Sequence, residues 1–171
     1  MGRTCTLKGN ALPLEGPELK VGDKAPDATL HVNLVERTSL RDTNGTVRIL
    51  SVVPSLDTPV CAQQTKRFNT EAAGLPNVDF ITISCDLPTG MARFCGAEKI
   101  NAERVRVLSD HFDAGFGRAY GTLIRDLRVE CRALFVLDKE GVIRHVEYVP
   151  EVAEHPDYDR ALACARELAG G

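Results

Sequence analysis

The chain contains no tryptophan, and aromatic residues make up only 5% of its 171 positions. Its core must therefore be mostly aliphatic. At 43% hydrophobic there is enough apolar material for one sizeable core, and the length matches one domain spanning 1–171. Long apolar runs are missing too. None approaches the roughly 20 residues that span a bilayer, and the opening Met1-Gly2-Arg3-Thr4-Cys5 lacks the apolar centre of a signal peptide. The expectation is a soluble, cytoplasmic protein with no membrane contact. The formal charge is −3 and no basic block occurs. Nothing in the pattern offers the lysine and arginine cluster that neutralises phosphates, which argues against nucleic acid as a partner.

Metal-type spacing is also lacking. There is no CxxC pair, and His31, His111, His145 and His155 do not pair at ligand spacing. Yet six cysteines are present, at positions 5, 61, 85, 95, 131 and 164. A chain of this length does not need a disulfide framework. If these residues have a task, redox chemistry is the natural one.

The apolar pattern gives the order of elements. The first twenty residues alternate around Gly9-Asn10 as a hairpin does. Val47 to Val53 is a dense apolar run stopped by Pro54, which reads as a buried strand, and a helix should follow it. Val78 to Ser84 is a second buried strand. Thr89 to about Lys99 is helix-like, Val105 to Leu108 is a short strand, and Asp113 to Tyr120 is helical. Arg132 to Leu137 is another strand. The turn Asp138-Lys139-Glu140-Gly141 leads back through Val142 to Val149, antiparallel. A last helix starts at Pro156-Asp157 and runs to about Ala169. Strands alternating with helices give an α/β fold with a mixed central sheet flanked by helices and an N-terminal β-hairpin extension, in a thioredoxin-like order. That order puts the loop after Val47–Val53 at the carboxyl end of a central strand, where open α/β sheets place their sites.

The segment there is Pro54-Ser55-Leu56-Asp57-Thr58-Pro59-Val60-Cys61. Thr58 is a natural N-cap and Pro59 suits the first helical position, so Cys61 falls third, inside the first turn. Backbone N–H groups there lack intrahelical partners and the helix dipole is positive. Both favour a thiolate, the nucleophilic form of cysteine. The bland alternative is a cysteine that merely fills core space.

The same segment resembles the peroxiredoxin family, whose signature is Pro-x-x-x-Thr-x-x-Cys. Pro54, Thr58 and Cys61 match every fixed position. PSLDTPVC is similar to the atypical two-cysteine, thiol peroxidase subfamily, as are KGNALPLEG, VGDKAPDATL, SDHFDAGFGRAYG, RALFVLDKEGVI and HPDYDRAL, so the resemblance covers nearly the whole chain. It implies reduction of hydrogen peroxide and alkyl hydroperoxides, with Cys61 as the attacking sulfur. Thr58 would orient thiolate and peroxide, and Pro54 would shield the site. Arg132 would hold the thiolate and stabilise the departing oxygen. Cys95 matches the resolving cysteine, which closes an intramolecular disulfide. Gly96 weakens the helix expected around it by roughly 1 kcal/mol relative to alanine, which suits a segment that must rearrange. Thioredoxin as reductant, a homodimer, and no metal, flavin or haem are further implications. Against the family pattern, GTLIRDLRVEC between Tyr120 and Arg132 is short, which bears on the pocket wall and the dimer contact.

Cys5, Cys85, Cys131 and Cys164 carry no motif, with Cys85 the one near Cys95 in sequence. Two rival readings stand beside the peroxidase. A cysteine hydrolase would need His31, His111 or His145 brought to Cys61 as base. A non-catalytic redox sensor would form the same disulfide without rapid peroxide turnover.

Overall fold

The computed structural model describes residues 2–170. Strands β1 (Thr4–Leu7) and β2 (Asn10–Glu15) form the N-terminal hairpin. Its two-residue turn has φ of 52° at Lys8 and 79° at Gly9. Positive φ at both positions matches the right-handed twist of the flanking strands. Two short strands follow, β3 (Thr29–His31) and β4 (Arg37–Ser39). Then comes a 3-10 turn, Leu40–Thr43, started by a capping box between Ser39 and Asp42.

The alternating part begins at β5 (Val47–Val52), buried at every position. Next come α1 (Pro59–Ala72), β6 (Val78–Ser84), α2 (Pro88–Ala97), β7 (Val105–Ser109) and the short α3 (Gly115–Tyr120). A small hairpin, β8 (Leu123–Ile124) and β9 (Val129–Glu130), leads to β10 (Ala133–Leu137), β11 (Ile143–Tyr148) and α4 (Tyr158–Gly170).

Seven strands make one sheet in the order β11-β10-β5-β6-β7-β3-β4. β5, β6 and β7 run parallel, and the outer pairs are antiparallel. This is the mixed sheet that the sequence pattern implies. The central strands are covered on both faces, which is why they read as continuous apolar runs. A second sheet of four strands, β1-β2-β8-β9, sits beside it. The segment between Tyr120 and Arg132 is thus a short hairpin whose β8 pairs with β2.

Strand parity sorts the side chains into two layers. Val47 and Ile49 of β5 and Leu134 and Val136 of β10 face α1, α2 and α4, in a cluster that includes Phe68, Phe94 and Leu162. Leu50 and Val52 of β5 and Phe135 of β10 face the other way, against Phe116 and Tyr120 of α3. Phe68 anchors the first layer, with its ring 5.9 Å from Phe80 and 5.5 Å from Tyr158. Burying such a ring contributes roughly 2–3 kcal/mol. Among the described residues, no helix is long and apolar enough to cross a membrane.

Candidate active site

The parity that builds the first layer also builds the site. Ser51 shares the face of Val47 and Ile49 on β5. Arg132, two residues before Leu134, points to the same face just before β10. The chain leaves β5 at Val52, passes through Pro54, and starts α1 at Pro59. Cys61 is therefore the third residue of the helix, as its sequence suggests, and is fully buried.

Arg132 is 2% exposed. Its Nη2 donates to Cys61 Sγ at 3.3 Å, Nη1 to Gln64 Oε1 at 2.9 Å, and Nε to the Val152 carbonyl at 3.0 Å. Gln64 is fully buried one turn beyond Cys61, and its Nε2 donates to Ser51 Oγ at 2.8 Å. A chain of contacts thus runs from Ser51 through Gln64 and Arg132 to the sulfur. Among the described residues Arg132 makes no ion pair with a carboxylate. A buried cation without a counter-charge is costly, and the sulfur is the ionisable atom in bonding contact with it. Tyr158 closes this part of the core. Burial pushes its phenol up to about 12, with Arg132 and Arg67 pulling it back. Its hydroxyl lies 2.7 Å from His155 Nδ1.

Thr58 holds the N-cap position, with extended backbone, but its side chain does not cap the helix. The hydroxyl instead donates to the Ser55 carbonyl at 2.8 Å. Thr58 is thus the N-cap by position, as expected, without a capping bond from its side chain. With Pro59 occupying the first helical position and the loop curling back through Ser55, the nearer acceptor takes the hydroxyl. Pro54 is half-buried between β5 and this loop.

Cys95 lies on α2, half-buried, packed against the same core layer as Cys61. The two are not joined, and all six cysteines are free. Burial pushes the Cys95 thiol up. Helix α2 is tied to the loop before α1 at several points. Asp86 accepts from Ser55 Oγ at 2.8 Å, from the Leu56 N–H at 2.8 Å and from Ser84 Oγ at 2.7 Å. Arg93 pairs with Asp57 at 3.1 Å and Lys66 with Glu98 at 2.9 Å. Both ion pairs are exposed, and such pairs contribute at most about 1 kcal/mol. A cavity of about 210 Å³ beside α2 is lined by Met91, Cys95, Ile100 and Val105.

Sequence reasoning missed Gln64 and Ser51. Both were signalled: Ser51 interrupts an apolar strand, and Gln64 stands at i+3 from the cysteine on one helix face. It also missed a buried cluster on the opposite layer. Cys85 Sγ is 3.4 Å from Glu130 Oε1, and Thr122 Oγ1 donates to Glu130 Oε2 at 2.5 Å. Asp110 accepts N–H bonds from Phe116 and Gly117 at 3.0 and 2.9 Å. The ligand atoms of Cys85, Asp110 and Glu130 lie within 4.8 Å of one another and could hold a metal ion. Their hydrogen bonds already engage the carboxyl oxygens. Burial pushes the Glu130 carboxyl up to about 8, with the Asp110 charge adding to it. Burial likewise raises the Cys85 thiol. Its Sγ donates to Glu130 Oε1.

The histidines do not serve the sulfur. His31 and His111 pack edge to face at 4.8 Å beside Phe112. His145 stands on β11. Among the described residues none is hydrogen-bonded to Cys61, so the hydrolase reading has no base.

Comparison with known proteins agrees with the geometry. A family model described as Redoxin matches residues 20–162. The chain is 49% identical to the thiol peroxidase of Bacillus subtilis over 163 residues, covering 95% of this chain and 96% of that protein. It is 47% identical to the thiol peroxidase of Halalkalibacterium halodurans over 161 residues, covering 94% and 96%. Its fold is similar to a peroxiredoxin-like protein from Aquifex aeolicus, at a TM-score of 0.90 and 42% identity over 98% of both chains. The thiol peroxidase from Chromobacterium violaceum, at 21% identity, shares the fold with a TM-score of 0.83 over 96% and 95% of the two chains. With its buried cysteine–arginine pair at the end of a central strand, the chain belongs to the Redoxin family and, within it, to the thiol peroxidase subfamily of peroxiredoxins, enzymes that reduce peroxides with thiols.

Proposed function

We propose that Cys61 is the sulfur that attacks the peroxide, that Cys95 resolves the product, and that a thioredoxin-type dithiol restores both. The observation that carries this reading is the Arg132 guanidinium, buried without a carboxylate partner and 3.3 Å from Cys61 Sγ. It holds a thiolate in the first turn of α1, where the helix dipole and free backbone N–H groups favour negative charge.

The thiolate attacks one peroxide oxygen. A sulfur–oxygen bond forms, the oxygen–oxygen bond breaks, and the leaving oxygen departs as an alcohol or water after taking up a proton. Cys61 is then a sulfenic acid. The guanidinium that stabilised the thiolate is placed to stabilise charge on the departing oxygen. Gln64 and the Val152 carbonyl fix the guanidinium plane, so they position the group rather than react. Thr58, whose hydroxyl is held over the loop by Ser55, orients the incoming peroxide, and Pro54 keeps water from the sulfur.

Cys95 then attacks the sulfenic sulfur, forming the disulfide and releasing water. Sulfurs bond only when their Cα atoms come within ~7 Å, and in this reading α2 loosens to let Cys95 meet that condition. Its weak exposed ion pairs, the cavity beside it and Gly96 support a low cost for that motion. The same reading takes the chain as one domain, working as a homodimer in the reducing cytoplasm, where six unpaired thiols are stable. The rival sensor reading differs only in rate.

Single-turnover oxidation against steady-state turnover tests the assignment. Cys61→Ser should abolish both. Cys95→Ser should oxidise in a single turnover near the wild-type rate, keep a trappable sulfenic acid, and lose dithiol-dependent cycling. Full cycling by Cys95→Ser, with loss on Cys85→Ser, would move the resolving role to Cys85.

A further inference from the structure

At the opposite end of β5 from Cys61 lies a second buried arginine. Arg48 is 2% exposed and sits on the other face of the sheet. Its Nη1 donates to the Leu40 carbonyl at 3.3 Å and to Thr43 Oγ1 at 3.1 Å, and its Nη2 to the Asp138 carbonyl at 3.3 Å. These are neutral acceptors. Its Nε is buried without a partner. Among the described residues Arg48 makes no ion pair.

Two of the nearby carboxylates are held elsewhere. Asp138 is held by Arg144 Nε at 2.7 Å and by the N–H groups of Glu140 and Val142. Asp27 accepts from Ser39 Oγ at 2.6 Å, from the N–H groups of Ala28 and Arg41, and faces the Arg41 side chain at 3.8 Å. Asp79, the register partner of Arg48 on β6, makes no ion pair with it. A buried cation left with neutral acceptors is expensive, and a bound anion would relieve it.

There is room for one. A solvent-connected cavity of about 90 Å³ lies against Arg48, Lys24, Asn44 and Gly141, and also against Asp27, whose charge Arg41 on the same wall balances. One water needs roughly 10–15 Å³ on this measure, so a small polyatomic ion fits. The cavity has a focal point. A carbon placed where Gly141 lacks one would stand 3.3 Å from Arg48 Nη2, 3.4 Å from Asn44 Oδ1 and 3.6 Å from Lys24 Nζ. That direction is open because residue 141 is a glycine, and an oxyanion in the cavity in front of it would face both cationic nitrogens. Lys24 already donates to the Glu140 carbonyl, which fixes its ammonium over the cavity. Rotation of the Asn44 amide turns its NH₂ to the same point.

From this convergence of Arg48, Lys24 and Asn44 over Gly141 we propose a binding site for a small oxyanion, a phosphate or carboxylate group, separate from the peroxide site. Arg48 supplies the buried charge and Lys24 the accessible one. Asn44 selects for an acceptor-bearing ligand. Of the guanidinium nitrogens, Nε alone has no acceptor among the described residues, and nearby negative charge would offset the cost of burying it.

The test uses the full-length reduced protein with inorganic phosphate as probe and sodium acetate in a second arm, sodium chloride holding ionic strength constant. Thermal midpoint and calorimetric titration are read for the wild type, Lys24→Met, Asn44→Asp and Arg48→Met. The two exposed substitutions spare the core, so they report on the site even if Arg48→Met folds poorly. The proposal expects a saturating response in the wild type to phosphate or acetate. Affinity should fall at least tenfold in Lys24→Met and in Asn44→Asp, where a carboxylate replaces the amide at the focal point. No response in the wild type, or equal responses in the wild type and both exposed variants, would overturn it.

Discussion

Replacing Arg132 by methionine removes the guanidinium while nearly keeping its apolar stem. The cost to chemistry can be worked from the 3.3 Å contact with Cys61 Sγ. At an effective dielectric near 20, unit charges at that distance attract by roughly 5 kcal/mol. Solvation of the thiolate in the competing state offsets much of this, and a charge-assisted hydrogen bond contributes about 1.5–3 kcal/mol net. At ~1.4 kcal/mol per tenfold in rate, the loss of thiolate stabilisation alone slows oxidation by roughly 10–100-fold. Loss of the donor facing the departing oxygen adds to it, as deletion of a single oxyanion donor costs about 10²–10³ elsewhere. The expected result is a fall of at least about 10²-fold in single-turnover oxidation of the prereduced protein. Lysine at the same position keeps the charge but cannot serve Cys61, Gln64 and Val152 together, so it should fall between. Stability moves separately. Methionine leaves Gln64 Oε1 and the Val152 carbonyl without donors, at about 1–3 kcal/mol each, while it also removes a buried charge. Rates are therefore measured well below the thermal midpoint of each variant. A methionine variant that oxidises within threefold of wild type, whatever its melting temperature, would show the arginine to be structural and refute the reasoning.

Two further outcomes follow from the same geometry. Thr58→Val deletes the hydroxyl that donates to the Ser55 carbonyl and should slow peroxide oxidation about tenfold with little change in melting temperature, while Thr58→Ser restores most of the rate; equal rates for all three would leave Thr58 a loop residue only. Glu130 is raised to about 8 from an ordinary value of 4.5, so the folded state holds a proton there that the unfolded state has released. Its contribution is fully present below about pH 4.5 and is lost as pH rises to about 8. Glu130→Gln should flatten that fall in urea-denaturation free energy, and an unchanged pH profile would contradict the assignment.

Legibility in the sequence followed the range of the interactions. The run Val47 to Val53, its Pro54 stop and the Thr58-Pro59 start are local, and they placed Cys61 third in α1, as observed. Lengths of strong elements were readable to within a residue or two because apolar period and proline punctuation act locally. The strands β4, β8 and β9 were not anticipated. They span two or three residues, too few for a period, and Arg37-Thr38-Ser39 is polar because it forms a sheet edge. Thr58 shows a subtler limit. Its backbone role was readable, but which acceptor the hydroxyl finds depends on how the loop folds back. Arg132 was found through family resemblance, since nothing local distinguishes it from an ordinary strand-edge arginine. The meeting of Cys85, Asp110 and Glu130 joins three distant segments through the sheet, and the unpartnered Nε of Arg48 depends on Asp138 and Asp27 being held by other groups.

In the proposed cycle one sulfur, Cys61, takes the oxygen and Cys95 on α2 resolves it. Reduced protein treated with one equivalent of hydrogen peroxide, alkylated and digested without reduction, reports this in one peptide map. The expected dominant product is a Cys61–Cys95 disulfide, with Cys5, Cys85, Cys131 and Cys164 recovered as alkylated thiols. A disulfide that joins Cys61 to any other cysteine, or a product in which Cys61 remains a free thiol, would contradict it.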